Sequence, residues 1–500
     1  MKIWRIGSQW GKQIDLIDIF REQKLAFAGS EVQALILGVS AGDLLCITKG
    51  QSIEAIGRIS KIEDLGIVNP ALASQFDYVK ALLLNELHFL KDFNLPMQSY
   101  GGQGKQFHEV HGNYFNLIKD LFFKIETMLT KINAIDLLKY KKQIILQGPP
   151  GTGKTRLAKE IAKQLVLPLS RAELIRKVIR KYLISGLVVP MSQANKSVEV
   201  LVVNEDNFKI RKPAGDETSQ TVKSVYDVLE RGEFTTTGGD SYHIALAKYL
   251  NEILLKISPG EAKLIQFHPA YTYEDFVRGI VVESNEDKQV EYKVVNKALA
   301  DFAQKALNNE FSHYVLIIDE INRANLPSVL GELIYALEYR FDPEKPEETS
   351  VESMYSLMDE GESEVSKGRI LRLPNNLFII GTMNTADRSV GHIDYAIRRR
   401  FAFVDVHPSD QPIREVVKDP QTQAKALDLF QKVSLLFQQE YLNSDFKVED
   451  VQLGHSYFLA EDEATLKLKL DFEIKPLLME YVKDGILNEK ASEKIKELSL

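Results

Sequence analysis

Gly148-Pro-Pro-Gly-Thr-Gly-Lys-Thr155 is the stretch that decides the fold of this 500-residue chain. It follows the apolar run Gln143-Ile-Ile-Leu-Gln147 and precedes residues 156–165, which read as a helix. Strand, glycine loop and helix in that order turn a short pattern into a physical statement. Gly148, Gly151 and Gly153 let the backbone wrap closely around oxyanions, with Pro149, Pro150 and Thr152 completing the loop. The helix start adds its dipole and its unpaired first-turn N–H groups. Lys154 is then expected to reach the β- and γ-phosphates of a nucleotide, and the Thr155 hydroxyl to ligate Mg²⁺. A chance glycine turn is the alternative, and it does not account for a full match in this context.

The chain is too long for one hydrophobic core, so about two to four domains are expected. Hydrophobic content of 44% and charged content of 26% fit an ordinary globular protein. No run approaches a bilayer-spanning length, and Met1-Lys-Ile-Trp-Arg-Ile-Gly7 has no secretory apolar core. The single cysteine, Cys46, rules out a disulfide within one chain and fits a reducing compartment. The expectation is a cytoplasmic protein with no membrane segment. A net charge of −8 argues against indiscriminate coating of nucleic acid, but leaves room for a local basic groove or a pocket that reads one base.

Tyr314-Val-Leu-Ile-Ile-Asp-Glu320 reads as a strand buried on both faces, with functional residues at its carboxyl end. Asp319 is the candidate for the Mg²⁺ shell and Glu320 for polarising the attacking water. Leu377-Phe-Ile-Ile-Gly-Thr-Met-Asn384 is a second such strand, and Asn384 is the candidate amide for orienting that water. Asp394-Tyr-Ala-Ile-Arg-Arg-Arg400 reads as a short helix ending in three arginines ahead of a strand at 401–406. Arginines at a helix end also suit its dipole, so a local role for one or two stays open. Arg398 and Arg399 are the candidates for reaching a neighbouring subunit's γ-phosphate, a role that makes full activity depend on oligomerisation.

These elements in this order resemble an AAA+ ring ATPase module, an α/β nucleotide-hydrolase core whose parallel sheet lies between helices, followed by a helical lid. More narrowly, Asp319-Glu-Ile-Asn-Arg-Ala-Asn325, Phe267-His-Pro-Ala-Tyr-Thr-Tyr-Glu-Asp-Phe276, Met383-Asn-Thr-Ala-Asp-Arg-Ser389 and Gln452-Leu-Gly-His-Ser-Tyr-Phe458 resemble the McrB family, motors of modification-dependent restriction systems. The resemblance covers about 260 residues in pieces, from near 140 to near 460. It implies that Asn384 and Asp387 lie in the family's signature loop at a subunit junction, and that the substrate is GTP, with ATP the alternative. It also implies a homo-oligomer, expected to be a hexameric ring, and a separate McrC-like nuclease subunit. His455 and Ser456 are candidates for lid contacts with the nucleotide, or His455 is a buried histidine satisfying a carbonyl. For the aromatic-rich stretch 267–276, packing is preferred over nucleotide contact.

About a hundred residues separate the phosphate-loop helix from Phe267, more than a plain core needs. Within them, 171–187 is a basic helical pattern (Arg171, Arg176, Lys177, Arg180, Lys181), 198–203 and 207–212 read as strands, and 221–231 and 243–257 as helices. An inserted subdomain at about 170–260 is expected, with a ring-surface or pore role for its charges or simply a solvated face. The acidic stretch 342–367 reads as a surface hairpin or loop.

Residues 1–105 have a different grain. Short alternating runs at 2–6, 43–48 and 52–60, bounded by turns, fit a small β-barrel with a few helices. The pattern resembles EVE and related PUA-like modules, which hold a flipped modified base between aromatics. Trp4, Trp10 and Phe93 are candidate faces, with Asn94 or Ser8 at the base edge; each aromatic has a core role as its alternative. Gly101-Gly-Gln-Gly-Lys105 tracks phosphate or is a linker. The expected organisation is a reader at 1–105, a helical linker at 106–140, a nucleotide-hydrolase core at 141–410 and a helical lid at 411–500. The chain carries no convincing Asp…Asp/Glu-x-Lys nuclease core. The competing functions are a DNA-restriction motor acting on DNA with a modified base, a MoxR- or dynein-related ATPase that remodels protein complexes, and a binding-only module.

Overall fold

The computed structural model describes residues 2–7, 9–10, 14–29, 39–41, 43–49, 52–64, 68, 79–93, 98–99, 107–110, 113–191, 196–234, 242–284, 289–356, 368–387 and 393–500. Its centre is a five-stranded sheet with strand order Glu261–Gln266, Tyr314–Asp319, Leu377–Asn384, Gln143–Gly148, Ala402–Asp405. Every neighbouring pair is parallel, so all five carboxyl ends open on one side. The three middle strands are almost wholly apolar and buried, as a sheet covered on both faces demands. Helix Lys154–Leu165 covers one face with Ala158, Ile161, Ala162 and Leu165. On the other, Phe267, Phe276, Phe302 and Leu333 belong to the core around Leu316, Ile318 and Ile379. Phe267 meets Phe276 edge to face at 5.2 Å, so the aromatic stretch 267–276 packs as preferred.

Two bodies of secondary structure attach to this core. Between helix Lys154–Leu165 and strand Glu261–Gln266, helices Arg171–Tyr182, Val222–Arg231 and Tyr242–Lys256 pack on a four-stranded antiparallel sheet around their own apolar cluster. After the arginine-ended helix Tyr395–Arg398 comes a helical body built from Gln411–Val416, Pro420–Leu435, Glu463–Lys469, Lys475–Lys483 and Ala491–Glu497, also with its own core. Within the insert the basic charges are partly committed: Arg171 Nη2 donates to the Leu229 carbonyl, Arg176 lies 5.6 Å from the Tyr226 ring centre, and Lys181 pairs with Glu310.

The N-terminal strands form a seven-stranded mixed sheet, in which Ile3–Gly7 and Leu44–Lys49 run parallel. A barrel was the expectation; among the described residues the outer strands Leu25–Gly29 and Phe107–Glu109 are not paired with each other. Helix Asn113–Lys141 then joins this sheet to the nucleotide core. Its Ile118, Phe122 and Ile125 pack with Ile3, Cys46 and Ile56, while Ala134, Ile135 and Leu138 pack with Ile144 and Leu146. The acidic stretch is described as far as Ser356, where Val351–Glu352 pairs with Ile370–Leu371 as a short hairpin; the remainder lies outside the described residues.

Candidate active site at the phosphate loop

The carboxyl ends of three adjacent strands bring the sequence candidates together. Gly148, Gly151 and Gly153 have φ of 155°, 80° and 80°, backbone that a side chain would strain. Gly153 caps helix Lys154–Leu165. The Thr152 hydroxyl donates to the Pro149 carbonyl at 3.1 Å and fixes the turn. Lys154 is 7% exposed, its Nζ donating to the carbonyls of Gly148 at 2.9 Å and Pro149 at 2.8 Å. Burial pushes its ammonium down to about 8, against a smaller pull upward from Glu320 and Asp319.

The Thr155 hydroxyl donates to Asp319 Oδ1 at 2.7 Å. The same oxygen accepts from the Thr382 hydroxyl at 2.5 Å, and Thr382 Oγ1 accepts the Glu320 N–H at 3.2 Å. Thr382 is thus a site residue that the sequence reading missed. Strand alternation puts it on the same face as Asn384, which was the available signal. A hydroxyl and a carboxylate oxygen side by side fit Mg²⁺, which takes few protein ligands and completes its shell with phosphate oxygens and water.

Glu320 has φ of 53°, left-handed backbone in a residue with a side chain, at a cost of about 1–2 kcal/mol. That turn separates the aims of the two acids. Asp319 faces Thr155, whereas Glu320 Oε1 accepts from Asn384 Nδ2 at 2.7 Å. The element Asn384-Thr-Ala-Asp387 touches each part of the site in turn. Asn384 holds Glu320, the Thr385 N–H donates to the Gly148 carbonyl at 3.1 Å, Ala386 packs against the helical-lid core, and Asp387 pairs with Arg323 at 3.4 Å. The Thr385 hydroxyl adds a bond to the Asp450 carbonyl at 2.6 Å.

The C-terminal helical body sits directly on the phosphate loop. The Gly454 N–H donates to the Pro150 carbonyl at 2.9 Å, and the Ser456 N–H to the Gly151 carbonyl at 3.0 Å. His455 Nε2 lies 3.3 Å from where a side chain on Gly153 would begin. Its Nδ1 is buried without a hydrogen-bond partner, so this ring does not satisfy a carbonyl through that nitrogen. Burial, with a smaller push from Arg156, holds the imidazole down at about 4.

The three arginines separate. Arg400 is 7% exposed, bonded to the Ala396 carbonyl and paired with Glu338 at 3.2 Å, so its work is local. Arg398 lies 4.9 Å from the Phe403 ring centre. Arg398 and Arg399 are both exposed, the Arg399 side chain 66% accessible and 3.7 Å from Glu338. The structure does not bring these arginines to the loop of their own chain. In the N-terminal sheet Trp4 is 2% exposed, packed in the core with its indole N–H on Asp43 at 3.1 Å, the core alternative rather than an open face. Trp10 ends the two-residue strand Gln9–Trp10, Phe93 closes a short helical turn, and Ser8 and Asn94 lie outside the described residues.

Residues 144–253 match the ATPase family associated with various cellular activities (AAA), residues 245–401 the AAA domain of the dynein-related subfamily, and residues 440–490 the alpha-helical lid domain of McrB. The chain is 34% identical over 237 residues to the Type IV methyl-directed restriction enzyme EcoKMcrB subunit of Escherichia coli K12, a match covering 45% of this chain and 48% of that protein. It is 32% identical over 162 residues to the Type II restriction enzyme BsuMI component YdiS of Bacillus subtilis 168, covering 28% and 46%. The chain therefore spans about half the length of the relatives it matches.

Proposed function

The chain is an McrB-like AAA+ protein, and from that premise we propose that it is the nucleotide-hydrolysing motor of a modification-dependent restriction system. The observation that carries this reading is the joining of Thr155, Asp319 and Thr382, and of Glu320 and Asn384, at the ends of adjacent strands beside the phosphate loop. Gly148 to Thr155 cradle the phosphates, and Lys154 turns its ammonium from the loop carbonyls to the β- and γ-oxygens. Thr155 and Asp319 would hold Mg²⁺, which when bound would supply charge stabilisation to the phosphates. Glu320 takes the proton of a water that Asn384 helps to aim, and Arg399 of the adjoining subunit meets charge developing on the γ-phosphate. Asp387 ties the loop to this centre, while His455 and Ser456 close the lid over it.

GTP is the preferred substrate in this reading, in keeping with the family resemblance, and the working form is a hexameric ring. The N-terminal sheet, with Trp10, Phe93 and Asn94 as its remaining candidates, reads modified DNA, and an McrC-like subunit cuts it. A second reading, a protein-remodelling ATPase, draws on the dynein-related match at 245–401.

Steady-state hydrolysis of GTP and ATP, run side by side, tests both. Glu320→Gln is expected to keep nucleotide binding and lower turnover at least about a hundredfold, and Lys154→Ala to lose affinity. Parental turnover by Glu320→Gln removes the assigned base, and a clear ATP preference moves the weight to the remodelling reading.

A further inference from the structure

A buried polar network stands at the amino end of the strand that carries the phosphate loop. Gln143, 1% exposed, opens strand Gln143–Gly148. Its Nε2 donates to the Arg400 carbonyl at 2.6 Å and to the Leu337 carbonyl at 3.0 Å. Its Oε1 accepts from Arg340 Nη2 at 2.6 Å, and Arg340 Nη1 donates to the Leu377 carbonyl at 3.2 Å. A guanidinium only donates, so Arg340 fixes which way the amide faces and aims both of its N–H groups at the two carbonyls. Arg340 is itself buried, with no carboxylate paired to it among the described residues and no partner on Nε. A cation buried without a counter-charge is costly. The work done by this one is to orient an amide.

Both held carbonyls bear on one exposed side chain. The first belongs to Arg400, the residue after Arg399, which caps helix Tyr395–Arg398. The second belongs to Leu337, the residue before Glu338, whose carboxylate lies 3.2 Å from Arg400 and 3.7 Å from Arg399. One amide therefore sets the end of the arginine helix against helix Leu333–Glu338. The Arg399 side chain has only its loose contact with Glu338, so its direction follows from the backbone it springs from. A long side chain magnifies any tilt at its root, and a misplacement of about 1 Å can cost about a hundredfold in rate.

We propose that Gln143, oriented by Arg340, is a positioning residue for the reaction in the adjoining subunit, clamping the backbone at Arg400 so that Arg399 projects toward that subunit's nucleotide. The inference rests on the reading of Arg399 as a group that acts across a subunit junction. It makes one strand serve two sites, its carboxyl end holding its own nucleotide and its amino end aiming an arginine at the neighbour's.

The test uses the full chain carrying Gln143→Glu or Gln143→Met, assayed for GTP and ATP hydrolysis, nucleotide affinity and thermal unfolding, alone and in mixtures. Gln143→Glu keeps an acceptor for Arg340 but takes both donors from the carbonyls, and Gln143→Met removes donors and acceptor alike. Each is expected to lower kcat about ten- to a hundredfold, with nucleotide affinity within about twofold of the parental chain. Each keeps its own base, so equal mixing with Glu320→Gln should bring hydrolysis back to about a quarter of the parental rate. Mixing with Arg399→Ala should recover nothing, because neither subunit then offers a working arginine. A variant damaged in its own site is not rescued by Glu320→Gln, which separates aiming from general loss of structure. Parental kcat in both variants overturns the clamp and leaves the functional reading standing. So does failure of both to fold, or a loss that Glu320→Gln does not rescue although it rescues Arg399→Ala. Full activity of Arg399→Ala alone, its failure to be rescued, or an inactive parental chain overturns the reading across the junction, and the clamp with it.

Discussion

At the residue scale, His455 shows how a single buried ring is exposed to pH. Its imidazole is held from the usual 6.5 down to about 4, chiefly by burial and secondarily by the Arg156 guanidinium. Between those values the unfolded chain binds the proton that the folded chain refuses. Stability is therefore full above pH 6.5 and is lost as pH falls toward 4. At about 1.4 kcal/mol per pKa unit, this one group accounts for a loss of about 2.5 kcal/mol by pH 4.5. Urea unfolding at pH 7.5 and pH 4.5 should show a loss smaller by that amount in His455→Gln, and equal losses would place the acid sensitivity elsewhere. His455 was legible as a lid residue because its motif is distinctive, but its burial stayed one of two open alternatives, since that depends on how the lid meets the loop. The same division holds for the other residues. Thr155 announces itself by its place in the phosphate-loop motif, and Asp319 and Asn384 by type and place at strand ends, whereas Thr382 and Arg323 enter the site only through hydrogen bonds that the fold creates. Arg398, Arg399 and Arg400 are alike in sequence; only the fold buries the last and leaves the first two exposed.

At the element scale, the contact that matters is backbone to backbone. A Cβ on Gly454 would lie 2.0 Å from the Gly151 carbonyl carbon and 2.3 Å from the Thr152 nitrogen, atoms that cannot rotate away. Gly454→Ala must therefore lift the His455–Phe458 turn off the phosphate loop and break its two bonds there, worth about 1 kcal/mol each. Nucleotide affinity is expected to fall about tenfold or more, while the lid, which has its own apolar core, keeps its helices. A fluorescent-nucleotide titration alongside circular dichroism checks this, and unchanged affinity would remove the lid from the nucleotide site. Long periodic or wholly apolar elements were readable: four strands of the central sheet, the phosphate-loop helix and the insert's helices follow from pattern, whereas the edge strand Glu261–Gln266, with three of its six residues charged or amide, was not read. Strands Val188–Pro190 and Glu217–Thr221 were not, because three residues, or five polar ones, carry no hydrophobic period. Sheet pairing alone makes them strands.

At the scale of the whole molecule, helix Asn113–Lys141 gives the N-terminal sheet and the nucleotide core a shared member, each holding one end of it. A movement of the core sheet reaches the N-terminal sheet through about 40 Å of continuous helix rather than through a slack tether. Arg399 has the opposite character: within one protomer it is exposed and paired only loosely with Glu338, so its proposed partner has to come from outside. That assignment predicts a specific complementation. Glu320→Gln removes the base from its own site but leaves its arginine intact, and Arg399→Ala does the reverse. Each variant alone should be nearly inactive. In a mixed ring, an Arg399→Ala subunit whose neighbour is Glu320→Gln has its own base and receives that neighbour's arginine, which restores one complete site. At equal mixing about a quarter of the junctions have this composition, so hydrolysis should recover to about a quarter of the parental rate if the sites act independently. An arginine acting within its own chain cannot be rescued in this way, because no single subunit of the mixture holds both groups. Recovery that rises with mixing ratio and peaks near equality would identify the junction between subunits as the catalytic unit; a mixture no more active than its components would return Arg399 to a local role.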